Sequence, residues 1–517
     1  MAMRVKNSII NITAGIGNQL VITLLSFVSR TVFINSLGIE YLGVNGLFTN
    51  ILAMLTLAEA GIGTSIMYSL YKPIAENDYE KINKLMRLYR SAYLVIALVV
   101  TALGLSLLPF LDEIVKNTSI HHLYLIYLIF LLNTVTPYLF SYKNSFLNVN
   151  QKSYIVTVAY SASSILSTSL KIGILYFTAN YILFLIIDSI LTIVTSVFLT
   201  MTANRKYPYL RQKAAGKLDA ETKGGIIKNV KAIVIQNIGS YLVLGTENIL
   251  ISTFVSIAAV GLYSNYKMLI DIARTFINQV FSNLYHSVGN LVSSESGEKI
   301  YSVYKVMLLL SFWLYSLLTI LLYLLIEPFI ALWIGGKFLM TGGVLLVLLL
   351  LFYERGMRNP ISTVKTTAGI FHEDRFVPLA QAVLGLGVSI ILVRQIGIAG
   401  VFIGSLFGTL AMPFWTTPYL VYKKVFHLPV ADYYLKYAYY SLIGISAFFA
   451  AYYTSGFIHA GNFSQLIVKG IVAFATVNLI YFAVFHRKEE FKYLQGITKI
   501  MFGKVTLKFK PHLKNGG

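Results

Sequence analysis

Fourteen apolar runs, each about as long as a lipid bilayer is thick, dominate this chain and leave little else for it to build with. They fall near 9–34, 42–70, 89–111, 120–141, 153–177, 180–203, 229–254, 258–285, 303–328, 339–356, 376–394, 397–422, 433–455 and 464–485. In hydrocarbon every backbone N–H and C=O must be satisfied inside the segment, so runs of this length have to be helices. The expected fold is an all-α polytopic membrane protein of 14 transmembrane helices. With 56% hydrophobic and 12% charged residues, a soluble core cannot account for the composition.

The basic residues test this reading. Lys and Arg alternate between dense and sparse loops without exception, as cytoplasmic retention of positive charge requires. The N-terminus, the 71–88, 142–152, 204–228, 286–302, 357–375 and 423–432 loops, their flanks and the last stretch hold roughly 34 of the 42. Lys116, Lys337 and Arg394 mark the other side. A formal charge of +21 therefore reads as topology in a plasma membrane, with both termini cytoplasmic, and not as nucleic-acid binding. The first apolar run is too long for a signal-peptide core and is expected to stay as a span. Absence of cysteine removes thiolate metal sites, disulfides and Cys nucleophiles. His121-His122 lacks partners at ligand spacing, so no metal is expected. No phosphate loop or nucleotide motif is present, so neither a cofactor nor enzymatic chemistry is expected.

An internal echo organises the runs. Gly43 recurs as Gly261, and Glu80-Lys81-Ile82 recurs as Glu298-Lys299-Ile300, both 218 residues on. Each copy between these anchors reads as one long apolar helix, 42–70 and 260–288, leading into a charged loop. Six spans per copy give both the same orientation, hence a parallel repeat. Residues 1–203 form an N-lobe of six helices, 204–228 a polar basic linker, 229–422 a C-lobe of six helices, 423–485 two further helices and 486–517 a basic cytoplasmic tail. In that tail Phe491, Leu494, Ile497, Met501 and Phe502 alternate with Lys492, Lys499 and Lys504, a pattern fitting either a helix on anionic membrane lipids or a solvated tail.

Charges inside spans are expensive and mark candidate sites. Arg30 shares a stripe with Asn11, Asn18 and Ser26, and reads either as a snorkelling anchor or as part of a wet face. Tyr263, Lys267, Asp271 and Arg274 share one face of the eighth helix, as a neutralised clamp or as a cavity lining with two cations against one carboxylate. Glu59 sits in a small-residue segment, and Glu247 follows Gln236 and Ser240. Either carboxylate reads as a proton or sodium site, or as the partner of Arg30 or Lys267. Lys171 and Asp188 are expected to pair within the first lobe. Glu354, Arg355 and Arg358 lie at the inner end of the tenth span and read either as a lipid-phosphate contact or, preferably, as ordinary positive-inside flank.

At Ser29-Arg30, Leu37-Gly38-Ile39-Glu40-Tyr41-Leu42-Gly43 and Ala58-Glu59-Ala60-Gly61-Ile62-Gly63-Thr64 the chain resembles bacterial polysaccharide repeat-unit flippases. These Wzx-type proteins form the polysaccharide transporter branch of the multidrug/oligosaccharidyl-lipid/polysaccharide exporter superfamily. The likeness is strongest over the first 90 residues and extends, as topology, to two extra C-terminal helices that such flippases share with the lipid II flippase. It implies a V-shaped, MATE-like pair of six-helix lobes, a cavity lined by helices 1, 2, 7 and 8, and alternating access. The implied substrate is an undecaprenyl-diphosphate-linked oligosaccharide for capsule, exopolysaccharide or cell-wall polymer synthesis, with the pathway's polymerase and assembly proteins as partners. Arg30, Lys267 and Arg274 would hold the head group, and Tyr263, Asn18 and Gln236 would meet sugar or water. Glu59, Glu247 and Asp271 would carry a coupling H+ or Na+. These carboxylates roughly balance the cations, which speaks against a strongly anionic substrate. An ion-coupled multidrug antiporter of the same fold is the alternative. A membrane polymerase would need longer outward loops than these, which are about 12 residues at most.

Overall fold

The computed structural model describes residues 2–59, 62–116, 118, 120–211, 218–294, 296–341, 343–370 and 372–496. Side chains 2–18, 57, 58, 64, 221, 228, 229, 231–244, 279, 280 and 282–294 lie outside the description. The first lobe region begins with α1 (Ala2–Leu37), α2 (Ile39–Leu55), α3 (Ile62–Glu76), α4 (Tyr79–Ser106) and the short α5 (Leu111–Ile114). It continues through α6 (Leu123–Val135), α7 (Ser141–Val149), α8 (Ser153–Thr178) and α9 (Tyr181–Lys206). Beyond the linker run α10 (Ala220–Phe254), α11 (Ile257–Ser294), α12 (Gly297–Trp333), α13 (Val344–Thr367), α14 (Val377–Ile396), α15 (Ile398–Ala411) and α16 (Pro413–Val421). Last come α17 (Ala431–Gly456) and α18 (Phe463–Phe485). Asp78, Asn180, Asp219 and Asn462 cap α4, α9, α10 and α18, each accepting from the backbone N–H three residues on. The exposed Asp219 carboxyl is held down at about 2 by its bonds to Thr222.

Among the described residues each apolar run lies mostly on helix, and the chain is an all-α, multi-pass membrane protein. Among the described residues eight helices are long and apolar enough to cross a bilayer alone, and a ninth span arises if α6 and α7, bent by 44°, count as one. Two expected spans are corrected. The run 42–70 is not one helix: α2 stops at Leu55, a 3-10 turn covers Thr56–Glu59, and α3 starts at Ile62. Gly61 and Gly63 lower the helix propensity of the sequence here. The run 120–141 also breaks, because Pro137 opens a 3-10 turn before α7. Several expected inner loops are largely helical, with α11 reaching Ser294 and α13 reaching Thr367. Hydropathy marks where lipid contact ends, whereas a helix ends where its backbone bonds end.

The chain divides into two compact units, Met1–Ser264 with Pro378–Val401, and Asn265–Val377 with Phe402–Gly517. Within the first, the 218-residue echo becomes a physical crossing of α2 with the start of α11. A Cβ on Gly43 would lie 2.0 Å from the Ile257 carbonyl oxygen, and one on Gly261 would lie 2.3 Å from that of Ile39. A Cβ on Gly46 would lie 2.8 Å from the Ser264 hydroxyl oxygen. Each of the pairs 39/257, 43/261 and 46/264 is separated by 218 positions, so the contact is reciprocal, as contacts across a two-fold axis are. The same offset separates the first residues of α1 and α10, of α2 and α11, and of α4 and α12.

In the second unit the core is aromatic. Phe312 of α12 lies 4.9 Å from the Tyr440 ring and 5.0 Å from that of Tyr481, which also bonds Ser316 at 2.7 Å. Ala447, Ala451, Ala473 and Val477 are fully buried in this cluster, so α17 and α18 are integral to the unit. Phe491 stacks on Trp313 and Leu494 packs beside the same core. The start of the tail is thus taken up by protein, while Ile497, Lys499, Met501, Phe502 and Lys504 lie outside the described residues.

Candidate functional site

The polar stripe of α11 is built in the second unit as the helical spacing requires. Lys267 Nζ donates to Asp271 Oδ2, and Arg274 Nη1 donates to Asp271 Oδ1 at 2.9 Å. The side chains remain 43%, 36% and 36% exposed for Lys267, Asp271 and Arg274, so the clamp is reachable. One carboxylate serves two cations, leaving one positive charge over. A guanidinium fork beside an ammonium can donate to phosphate or carboxylate oxygens while both keep Asp271.

In the first unit the structure groups the remaining candidates differently. Tyr263, at the start of α11, donates to Glu247 Oε2 of α10 at 3.3 Å. Glu59, at the end of the 3-10 turn, accepts from the Tyr93 hydroxyl at 2.5 Å, so this carboxylate meets a phenol and not Arg30 or Lys267. Gly63 makes that possible: a Cβ there would come within 2.5 Å of the Tyr93 oxygen and 3.1 Å of that of Tyr89. Tyr89 in turn donates to Ser145 at 2.8 Å, linking α4 to α7. Arg30 is half-buried on α1, with Nη1 sealed and lacking a hydrogen-bond partner among the described residues. Asn248, its counterpart one repeat on, donates to the Gly46 carbonyl at 3.2 Å. The side chains of Asn18 and Gln236, and of Asn11 and Ser240 beside them, lie outside the described ones.

Lys171 and Asp188 do pair, at 2.7 Å, and Ser167 also donates to Asp188. A further pair, with its carboxylate buried, escaped the sequence reading. Because α13 runs on for three turns past its apolar stretch, Glu354 and Arg358 lie inside a helix and not in its flank. Arg358 Nε donates to Glu354 Oε1 at 2.7 Å, and Nη2 to Oε2 at 3.3 Å. Their i, i+4 spacing was the available signal. Glu354 edges a cavity of about 420 Å³ in the second unit. Leu346, Leu350, Leu406 and Ile445 are among its apolar walls, while Tyr353 and Ser441, 3.2 Å apart, are with Glu354 among its polar lining.

This helical membrane body has counterparts among solved structures. The lipid II flippase MurJ in an inward closed conformation matches with a TM-score of 0.61 at 16% identity, over 93% of this chain and 100% of that one. An inward-facing multidrug resistance MATE family transporter of the MOP superfamily gives 0.58 at 15% identity, over 75% and 91%. The MATE multidrug transporter DinF-BH, in a ligand complex, gives 0.54 at 16% identity, over 80% and 96%. At such identities the likeness establishes a common fold. No protein-family model matches the chain. No curated protein sequence matches it either.

Proposed function

We propose that the chain is a flippase for a lipid-linked oligosaccharide, carrying an undecaprenyl-diphosphate-linked repeat unit across the plasma membrane by alternating access of two lobes, with both termini cytoplasmic. The Lys267–Asp271–Arg274 clamp carries the reading: it exposes two cations and keeps one uncompensated charge, which suits a diphosphate. Arg30, whose Nη1 has no hydrogen-bond partner among the described residues, is a further candidate cation for the head group, and Asn18, Gln236 and Tyr263 are candidates for meeting sugars or bridging water. The apolar cavity beside Glu354 offers room for part of an alkyl chain. Support also comes from extent, since the likeness to the lipid II flippase spans 93% of the chain against 75% and 80% for the multidrug transporters. Transport of this kind needs no covalent chemistry.

The second reading, an ion-coupled multidrug antiporter, is favoured by the carboxylates. Glu59 against Tyr93 and Glu247 against Tyr263 are hydrogen-bonded acids of the sort that exchange H+ or Na+. Under the flippase reading the same groups, with Asp271, would reset the lobes. Purified protein in liposomes separates the two. Translocation of lipid-linked oligosaccharide is expected to fall about tenfold or more in Lys267→Ala, Arg274→Ala and Arg30→Ala at unchanged protein level. Drug efflux without lipid translocation, sensitive to Glu59→Gln, would establish the antiporter instead.

A further inference from the structure

At one end of the first unit, α4, α7, α9 and the 3-10 turn Pro208–Arg211 converge, and the charge there is unbalanced. Lys143 of α7 is only 6% exposed. Its Nζ donates to a neutral atom, Asn204 Oδ1 of α9, at 2.9 Å, and lies 5.4 Å from the Tyr142 ring centroid. Among the described residues no carboxylate comes within ion-pairing distance of it. What does reach it is more positive charge: the fields of Arg90 on α4 and of Arg211 at the end of the turn both act on this ammonium. Both arginines are exposed. The nearby acids are already engaged, Glu80 by Lys84 at 2.6 Å and Asp219 by Lys81 at 3.6 Å.

The convergence is fixed by packing as well as by charge. Asn83 Nδ2 donates to the Tyr209 carbonyl at 3.0 Å, tying α4 to the turn that carries Arg211. Phe146, one turn beyond Lys143, packs edge-on against Tyr207 at 5.2 Å and Tyr209 at 6.5 Å. The packing of α4, α7 and the turn thus brings Arg90, Lys143 and Arg211 to the same end of the unit, and among the described residues no acid pairs with Lys143. Burying an ammonium without a counter-charge is costly, and neighbouring guanidinium groups add to the cost. An anion with several acceptor oxygens relieves both at once, through the Lys143 ammonium and the two guanidinium forks.

We propose that Lys143, Arg90 and Arg211 form an oxyanion site for a phosphate or diphosphate group at this end of the first unit. The basic segments there are those that the charge pattern assigns to the cytoplasmic side, where phosphate is available either as a lipid head group or in solution. The site shares no residue with the α11 clamp and does not depend on the transport reading.

The test uses the full-length chain carrying Lys267→Ala and Arg274→Ala, so that the clamp contributes nothing. Calorimetric titration with inorganic pyrophosphate probes a soluble ligand, and retention of radiolabelled phosphatidic acid in phosphatidylcholine nanodiscs probes a lipid head group. At least one probe binds saturably, and Lys143→Met, Arg90→Ala and Arg211→Ala each weaken it about tenfold or more, the loss of a charge-assisted bond. Lys143→Arg retains binding, and Lys337→Ala, which belongs to the other unit, leaves it unchanged. Pyrophosphate alone identifies the soluble source, and phosphatidic acid alone the membrane one. Should Lys143→Met fail to accumulate, the exposed Arg90 and Arg211 carry the test. No saturable binding of either probe, or binding that survives both arginine substitutions, overturns the site.

Discussion

At the scale of single residues, the chain handles intramembrane charge in two ways. Lys171–Asp188 and Glu354–Arg358 are neutral pairs, the first partly exposed and the second closed, while the α11 clamp is partly exposed with a cation to spare. The Glu354 side chain is 4% exposed, so removing its charge leaves Arg358 desolvated and alone. Glu354→Gln is expected to cost about 3–5 kcal/mol in thermal unfolding, whereas Glu354→Gln with Arg358→Met recovers most of it, because the paired cost of burial disappears. A wild-type melting curve for Glu354→Gln alone would sink this account. The comparison shows what a sequence can reveal about a site. Lys267, Asp271 and Arg274 were legible because one helix carries all three at contact spacing. The Tyr93 partner of Glu59 was not, since it lies 34 positions away on another element and phenols are too common in this chain to stand out.

At the scale of elements, one offset explains the helix starts, and one local difference explains where the copies part. α2 and α11 begin 218 residues apart and cross through Gly43 and Gly261, whose missing Cβ atoms let the two backbones touch. In both places the obstructing atom is a backbone carbonyl oxygen, which cannot swing aside as a side chain would. Gly43→Ala and Gly261→Ala should each destabilise the protein by about 1–3 kcal/mol. The double variant should cost less than the sum, since a single displacement of the crossing relieves both clashes. Wild-type melting in both single variants would remove the crossing as a structural constraint. The repeat was legible because glycine at a close crossing cannot be exchanged without penalty. Its asymmetry was only partly so. Thr56 to Gly63 contains two glycines and breaks, whereas the matching 274–281, RTFINQVF, has none and stays helical, bringing Arg274 onto a continuous face with Lys267.

At the scale of the whole molecule, alternation of apolar runs with basic loops was enough to define a helical multi-pass protein, because lipid permits few other backbones. What it could not show is which helices make a core. Sequence alone placed 423–485 outside the duplication, which invites treating the last two spans as an appendage. The second unit is instead built around them: Ala447 and Ala451 on α17, and Ala473 and Val477 on α18, are fully buried at spacings of four, as close helix contacts in lipid favour. Tyr440, Tyr481 and Phe485 complete the aromatic cluster on Phe312, and Trp313 donates to Asn478 at 2.9 Å. A chain ended after Pro429 would strip this face of α12, with Ser316 losing its bond to Tyr481 and the Trp313 N–H its bond to Asn478. Such a truncation is expected to give no monodisperse peak in fluorescence-detected size exclusion, while a chain ended after Gly496, which keeps Phe491 and Leu494 on the core, should elute as the full-length protein does. If residues 1–429 elute as a single stable species, the terminal pair is an appendage after all, and the tyrosine cluster serves something other than the integrity of the unit.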